Sequence, residues 1–337
     1  MTGYIRFVLA IAVLFSHLGV TINGLNPGVV AVIMFYMLAG SVVAHVWQDI
    51  LPEGKNKYMG FCMDRALRIF PLYIYTMVLT LLFVAVTGYG NPHYPISALV
   101  NNLLVVPLNY YMFLDSTILT EPSWWLIPQA WSLGAELQVY LLLPVIFINK
   151  QVRYIFFIAS FTVYMLANLG CINTDYYGYR LVPGVLFIFI MGVIIKESQV
   201  VRYRAAKHWV LYIGLVIIYV MFEFYDVFKV VYAQETMIGL LIGVPLLTYA
   251  GRTKIKLPYN AMMGSMSYGV FLTHFLVIWV LDYSQIIQKA TIMYFVAILL
   301  MTLIIAFIGV VLVETKIALI RTRVRVVGRC QEKNVET

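Results

Sequence analysis

Charged residues are scarce in this chain. Asp, Glu, Lys and Arg make up 11% of its 337 residues, whereas 62% are hydrophobic. A typical soluble domain has about 25% charged residues, so the composition excludes an ordinary soluble protein. Long apolar runs separated by short charged loops predict an all-α integral membrane protein that crosses the bilayer several times.

Cysteine is also scarce, and its three positions, Cys62, Cys171 and Cys330, are widely separated. Without paired spacings they predict neither a disulfide framework nor a zinc site, and we expect no metal.

The net charge of the chain is +8. The basic residues lie in loops beside apolar runs, as the positive-inside rule expects, so the charge does not indicate binding to nucleic acid.

The apolar runs predict about ten transmembrane helices in one bundle. With a cytoplasmic N-terminus, only Arg180, Lys229 and Lys289 of the 23 basic residues would face outward. Both termini are therefore predicted to be cytoplasmic. The runs lie near residues 5–22, 28–48, 68–88, 129–149, 152–170, 181–197, 208–225, 233–250, 259–281 and 290–313.

Residues 97–128 are too polar and too interrupted by proline for a simple span. We expect an outer-side re-entrant or interfacial segment, with Trp124 and Trp125 in the headgroup region. The predicted organisation is a membrane domain at 1–318 and a basic cytoplasmic tail at 319–337. The tail is expected to meet anionic lipid headgroups.

Three ionisable residues inside the apolar runs are candidate functional residues. His17, Glu136 and His274 come from three different predicted spans and are expected at a similar depth, in the middle to outer half of the bilayer. Ionisable groups in a span are costly and usually mark a pathway or a reaction centre. A histidine beside a carboxylate suits a general base. A purely structural hydrogen bond between helices is the alternative.

Arginines at the cytoplasmic side form a second candidate group. Arg65 and Arg68 are three residues apart, so they share one helix face. Together with Arg6 they would make a cationic mouth suited to phosphate groups, which guanidinium forks match well. Anchoring of the inner ends of the spans is the alternative explanation.

Taken together, these residues resemble the acyltransferase 3 family of integral-membrane acyltransferases. The motifs that carry the resemblance are Arg6 and His17, separated by ten residues; a glycine-containing second run from Gly28 to Gly40; Arg-x-x-Arg-Ile-x-Pro-x-Tyr from Arg65 to Tyr73; Trp-Ser-Leu-x-x-Glu from Trp131 to Glu136; and Ser-Tyr-x-x-x-Leu-x-His from Ser267 to His274. Two positions depart from the family pattern: Ala39 stands where a serine is common, and Gln138 to Tyr140 where an aromatic pair is usual.

The resemblance implies an O-acyltransferase, usually an O-acetyltransferase, of the bacterial cytoplasmic (inner) membrane. Its donor substrate would be cytoplasmic acyl-CoA, most often acetyl-CoA, and no permanently bound cofactor is expected. Its acceptor would be a hydroxyl of an envelope or exported polysaccharide, such as an exopolysaccharide, or of its lipid-linked precursor. The expected partners are thus acyl-CoA, a carbohydrate and membrane lipids. The resemblance also implies that His17 is essential and that Arg6, Arg65 and Arg68 serve the donor.

Our mechanistic hypothesis makes His17 the general base, or a transient acyl carrier, with Glu136 orienting it or its acceptor. His274, Trp124, Trp125 and Trp131 are expected to bind the acceptor, because aromatic side chains stack on sugar rings.

Two other classes of protein remain open from the sequence. A proton-coupled transporter of a sugar or small molecule would also place histidine and glutamate within the membrane, although the sequence has no internal repeat of the kind common in transporters. A non-catalytic subunit of a polysaccharide assembly complex is the third class, but it leaves His17 and Glu136 unexplained.

Overall fold

The computed structural model describes residues 1–54, 56–200, 204–253, 255–322 and 325. This part of the chain is helical apart from loops and one hairpin, β1 (Leu119–Thr120) paired antiparallel with β2 (Ser123–Trp124). It therefore has the all-α class predicted from its apolar runs. The α-helices are α1 (Thr2–His17), α2 (Pro27–His45), α3 (Lys57–Thr87), α4 (Ile96–Leu104), α5 (Trp131–Ile148), α6 (Lys150–Asn168), α7 (Val182–Val200), α8 (Arg204–Phe224), α9 (Ala233–Arg252), α10 (Asn260–Ser284) and α11 (Ile292–Gly309).

Each of the ten predicted apolar runs corresponds to one of these helices, and α4 begins at Ile96, one residue before the segment 97–128. Within the described ranges, six helical stretches are long and apolar enough to cross a membrane, and the apolar helices Thr2–His17 and Trp209–Phe224 are shorter. The structure thus confirms an all-α, multi-pass membrane protein. The count of about ten spans and the cytoplasmic termini stay predictions.

Three helix boundaries differ clearly from the sequence prediction, and one of them is the end of the last helix, which reaches Thr322 and not residue 313. The first run was expected to continue to residue 22, but α1 ends at His17, and the chain then turns through Gly19, where φ is +83°. The third run was expected to begin at residue 68, but α3 already begins at Lys57. Arg65 and Arg68 therefore lie inside a long helix and not at its start.

The chain forms two compact units. The first contains residues 1–51 and 135–260, and the second contains residues 52–134 and 261–337. Unit 1 thus holds α1, α2, α6 to α9 and most of α5, whereas unit 2 holds α3, α4, the hairpin, α10 and α11.

In unit 1, α2 and α7 form the centre of the packing. A Cβ atom on Gly40 would lie 1.9 Å from the carbonyl oxygen of Phe189, and one on Gly192 would lie 2.0 Å from that of Met37. The two backbones therefore touch at both positions, as small residues permit in membrane helix pairs. Further out, Tyr164 of α6 bonds to Thr236 of α9 through their hydroxyl oxygens, 2.9 Å apart.

In unit 2, α10 packs against α3 and α11. The Tyr268 hydroxyl donates to the carbonyl oxygen of Ile69 at 2.9 Å. A Cβ atom on Gly269 would lie 2.8 Å from that of Ala306, so these helices approach closely as well. Past Gly309 the helix continues through one π-helical turn, Val310–Glu314, and reaches Thr322.

The segment 97–128 is held by a buried asparagine. Asn102 Nδ2 donates to the carbonyl oxygens of Ala98 at 2.8 Å and Ser116 at 2.9 Å, and Asn102 Oδ1 accepts the Leu126 amide at 2.9 Å. The segment thus has its own polar core, with short elements and no long helix among its residues. Its outer-side location stays a prediction. Of the predicted tail 319–337, residues 323, 324 and 326–337 lie outside the described residues.

Candidate functional site

His17 is the last residue of α1, and its side chain is exposed. The end of α1 is fixed against the start of α2, because a Cβ atom on Gly28 would lie 2.1 Å from Ser16 Oγ. Asn26 caps α2 by accepting the amide of Gly28 at 2.9 Å, and Pro27 begins the helix. These contacts place an accessible imidazole at a well-defined helix end.

Arg180 is a charged neighbour of His17 within unit 1. It ends the one-turn π-helix Asp175–Arg180, just before α7. Its Nε donates to Asp175 Oδ1 at 2.7 Å, and its guanidinium lies 5.2 Å from the centre of the Tyr179 ring. The sequence prediction treated Arg180 as one of three outward-facing basic residues and gave it no role.

Glu136 lies near the beginning of α5 and accepts a hydrogen bond from the hydroxyl of Tyr140, one turn later. Glu136 also interacts electrostatically with Tyr36 of α2, and Tyr36 interacts in turn with Tyr179 and Arg180. Arg180 thus acts on both His17 and Tyr36, and Glu136 acts on Tyr36, so the two predicted catalytic residues are linked indirectly, through Arg180 and Tyr36. We call His17, Tyr36, Glu136, Tyr179 and Arg180 the His17 cluster.

Arg6 belongs to the same helix as His17. The eleven-residue separation corresponds to about 16 Å along an α-helix, so Arg6 is not part of the His17 cluster. The N-terminal end of α1 is attached to the last residues of unit 1, since the Gly3 amide donates to Asn260 Oδ1 at 3.0 Å and the Tyr4 hydroxyl donates to the Pro258 carbonyl at 2.8 Å.

In unit 2, Arg65 and Arg68 lie on α3, and both are paired with carboxylates. Arg65 bonds to its neighbour Asp64, which is fully buried. Arg68 pairs with Glu314 of the π-helical turn after α11 and also donates to the Gly264 carbonyl at 3.3 Å.

Two further arginines from the end of the chain join this group. Arg321 Nε lies 3.4 Å and Arg325 Nε 2.8 Å from Asp64 Oδ1. We call Arg65, Arg68, Arg321 and Arg325, with Asp64 and Glu314, the arginine cluster. Four guanidinium groups face two carboxylates, so the cluster carries a net positive charge.

Three of the predicted acceptor-binding residues of unit 2 lie with Phe275 in a line of aromatic rings, which we call the aromatic line: His274, Trp124 and Trp125. His274 is fully buried and its ring centre lies 5.1 Å from that of Phe275. Phe275 is 6.0 Å from Trp124, which is 5.6 Å from Trp125. Trp131 is buried and its carbonyl oxygen accepts a hydrogen bond from Asn109 Nδ2 at 3.1 Å.

The predicted site residues therefore form distinct groups. His17 and Glu136 share the His17 cluster in unit 1, Arg65 and Arg68 share the arginine cluster in unit 2, and Trp124, Trp125 and His274 share the aromatic line. Sequence reasoning missed Tyr36, Arg180 and the acidic partners Asp64 and Glu314. Two of these did carry a signal, since Asp64 precedes Arg65 directly and Tyr36 lies within the glycine-containing second run.

Comparisons with known proteins agree with the motifs. The family model described as an acyltransferase domain, that of the acyltransferase 3 family, matches residues 3–311. The chain is also similar to an uncharacterized protein of Aquifex aeolicus (strain VF5), with 38% identity over 221 residues, which is 62% of this chain and 98% of that protein. No solved structure gives a significant match.

Proposed function

The chain belongs to the acyltransferase 3 family, and from this premise we propose that it is a membrane O-acetyltransferase that uses acetyl-CoA as donor. Its acceptor would be a hydroxyl of an envelope or exported polysaccharide, or of the lipid-linked precursor, at the bacterial inner membrane. The observation that carries the proposal is the position of His17, which is exposed at the end of α1 and is linked to Glu136 through Arg180 and Tyr36.

In this proposal His17 acts as the general base. The imidazole removes the proton of the acceptor hydroxyl while the hydroxyl oxygen attacks the thioester carbonyl carbon. Collapse of the tetrahedral intermediate expels the CoA thiolate, and the imidazolium returns its proton to that sulfur. Glu136 orients His17 or the acceptor, and the bond from Tyr140 fixes the carboxylate for that task.

The donor is proposed to bind through Arg65 and Arg68, and Arg6 is assigned to the same substrate. Phosphate groups of CoA would compete with Asp64 and Glu314 for the guanidinium groups. Because the arginine cluster contains more cations than carboxylates, it retains positive charge for an anion even when both acids stay paired. Guanidinium forks bind phosphate oxygens in a bidentate manner, which suits the diphosphate of the donor.

The acceptor is proposed to bind through the aromatic line of unit 2. Trp124 is only partly buried, whereas Trp125, Trp131 and His274 are buried. We therefore assign direct stacking on a sugar ring to Trp124, and support of its position to Trp125 and, through Phe275, to His274.

The test is acetyl transfer by the purified protein in nanodiscs, with radiolabelled acetyl-CoA as donor. Wild type is compared with His17→Ala and with His45→Ala as the matched control. His45 also ends a helix of unit 1, but its Nδ1 pairs with Asp49 at 2.6 Å outside the His17 cluster. We expect His17→Ala to lose turnover and keep CoA binding, and His45→Ala to keep both. Normal transfer by His17→Ala would contradict the assignment.

A further inference from the structure

Tyr36 of α2 has a buried hydroxyl group, to which the proposed function gives no role. Its side chain is 3% exposed, and within the described residues its hydroxyl oxygen has no hydrogen-bond partner. Buried hydroxyl groups nearly always have a partner, because leaving one unpaired costs free energy. An unpaired hydroxyl inside a candidate active site is therefore a reason to look for a ligand.

The phenol ring of Tyr36 is held in place from one side. It packs on Phe189 of α7 with ring centres 4.6 Å apart, and the nearby Gly40 lets the α2 backbone touch the carbonyl of the same phenylalanine. This packing fixes the direction of the hydroxyl, as a preorganised hydrogen-bond donor requires.

Two charged side chains act on this hydroxyl with opposite sign, the Arg180 guanidinium and the Glu136 carboxylate. Arg180 provides a positive charge that acts on both Tyr36 and His17. Arg180 is itself positioned by Asp175 and by the face of Tyr179. One guanidinium thus acts on both the hydroxyl donor and the proposed base.

We propose that the Tyr36 hydroxyl is the oxyanion-hole donor of this acyltransferase, with Arg180 supplying the accompanying positive charge. The inference rests on the proposed function, since it assigns a step of the same reaction. It adds a catalytic residue, Tyr36, and a charge-stabilising residue, Arg180, to the predicted pair of His17 and Glu136.

The step moves the acetyl group from the CoA sulfur to the acceptor oxygen. As the acceptor oxygen bonds to the thioester carbon and its proton passes to His17, the carbonyl π electrons move to the carbonyl oxygen. Tyr36 donates a hydrogen bond to that oxyanion while Arg180 offsets its charge. The electrons return when the carbon–sulfur bond breaks, the thiolate leaves, and the imidazolium protonates it. Tyr36 and Arg180 begin and end the cycle unchanged.

The experiment measures acetyl transfer by Tyr36→Phe in nanodiscs. This variant removes one oxygen that has no protein partner and keeps the ring packed on Phe189, so we expect an unchanged melting temperature. We expect kcat to fall by about 100-fold to 1000-fold, the usual effect of removing one oxyanion-hole donor. The KM for acetyl-CoA and the Kd for CoA should stay as in wild type.

Tyr164→Phe is the matched control. Tyr164 is also a fully buried tyrosine of unit 1, but its hydroxyl bonds to Thr236. We expect this variant to lose stability and to keep its kcat. For Arg180, the lysine variant should retain more activity than Arg180→Gln, because it keeps the positive charge.

The possible outcomes separate the two claims. Wild type that shows no acetyl-CoA turnover contradicts both the proposed function and this inference. Turnover that depends on His17 but is unchanged in Tyr36→Phe overturns the inference alone, as does a loss seen only in the KM for the acceptor. If Tyr36→Phe is unstable, fluorotyrosines at position 36 replace it. A kcat that changes with the acidity of the hydroxyl across the fluorotyrosine series supports the donor role, and a kcat that does not change with it overturns that role.

Discussion

Arg153 and Glu197 form a bidentate ion pair that joins α6 to α7. Arg153 Nη1 lies 2.7 Å from Glu197 Oε1, and Nη2 lies 3.0 Å from Oε2. Both side chains are largely buried, at 5% and 13% exposure. Gln48, just after α2, also donates to Glu197 at 3.1 Å. A single carboxylate therefore connects three parts of unit 1.

Replacing one partner of this pair should destabilise unit 1. Arg153→Ala leaves the Glu197 carboxylate with its counter-charge removed, and breaking a buried pair in this way costs about 3–5 kcal/mol. We expect a clearly lower melting temperature in detergent. The double variant Arg153→Met with Glu197→Leu should recover much of the loss, since it leaves no unpaired charge.

Lys229→Ala is the control for this prediction. Lys229 also pairs with an acid, Asp226, but both side chains are mostly exposed. Exposed ion pairs contribute little to stability, so the melting temperature of this variant should equal that of wild type. Equal melting temperatures for Arg153→Ala and Lys229→Ala would show that the buried pair is not a stabilising link.

Gly40 is required by the close approach of α2 and α7. The Cβ atom of Gly40→Ala would lie 1.9 Å from the Phe189 carbonyl oxygen, so the helices must separate. Overpacking of this kind costs about 1–3 kcal/mol. We expect a lower melting temperature and, because Tyr36 packs on the same phenylalanine, lower transfer activity.

Gly214→Ala is the matched change in α8. Among the described residues, nothing outside the helix's own nearby backbone lies within 4 Å of its added Cβ, and alanine is about 1 kcal/mol better than glycine within a helix. This variant should be as stable as wild type or more so. A Gly40→Ala protein that melts no earlier than the Gly214→Ala protein would refute the close-packing argument.

Asn102 should decide whether the segment 97–128 keeps its structure. Asn102→Ala removes the acceptor of the Leu126 amide and the donor to the Ser116 carbonyl. Each buried group left unpaired costs about 1–3 kcal/mol. We expect faster proteolysis within 97–128. Asn101→Ala, which loses one exposed bond to the Asp115 carbonyl, should be cleaved at the wild-type rate. Identical cleavage of the two variants would contradict this role for Asn102.

The sequence was sufficient to predict the helices, but not all of their ends. The length of the apolar stretches gave each of the ten runs, because a helix that crosses the bilayer needs about 20 mostly apolar residues. The end of α1 was missed because Val20 and Ile22 are apolar although they lie in an exposed turn. The start of α3 was missed because Lys57, Asp64, Arg65 and Arg68 interrupt its apolar residues, and a hydropathy average does not register ion pairs such as that of Lys57 with Glu53.

The candidate site was predicted only in part, for a related reason. Motifs identified His17, Glu136, Arg65 and Arg68 one by one. Their partners depend on long-range packing, since Arg325 reaches Asp64 across 261 positions of the chain. For Arg180 the sequence analysis used only the positive-inside rule. That rule predicts the side of the membrane on which a basic residue lies, and it gives no information about neighbouring side chains.

Arg68 and Glu314 provide the last prediction, which concerns donor binding. Arg68 pairs with Glu314, and in the proposed function a phosphate of acetyl-CoA competes with that carboxylate. Arg68→Ala should therefore raise the KM for acetyl-CoA about tenfold or more, since one lost charge-assisted bond is worth about 1.5–3 kcal/mol. Arg68→Lys should restore only part of this affinity, because lysine lacks the planar fork.

Glu314→Gln tests the competition from the other side. It removes the negative charge beside Arg68 and keeps a side chain that can still accept the Ser265 hydroxyl bond. The guanidinium then meets the donor phosphate without a competing carboxylate, so the KM for acetyl-CoA should fall below that of wild type. The double variant Arg68→Ala with Glu314→Gln should behave like Arg68→Ala alone in KM, because the glutamate acts only through the arginine. A Glu314→Gln protein that binds acetyl-CoA more weakly than wild type would mean that the pair shapes the donor site and does not compete for it.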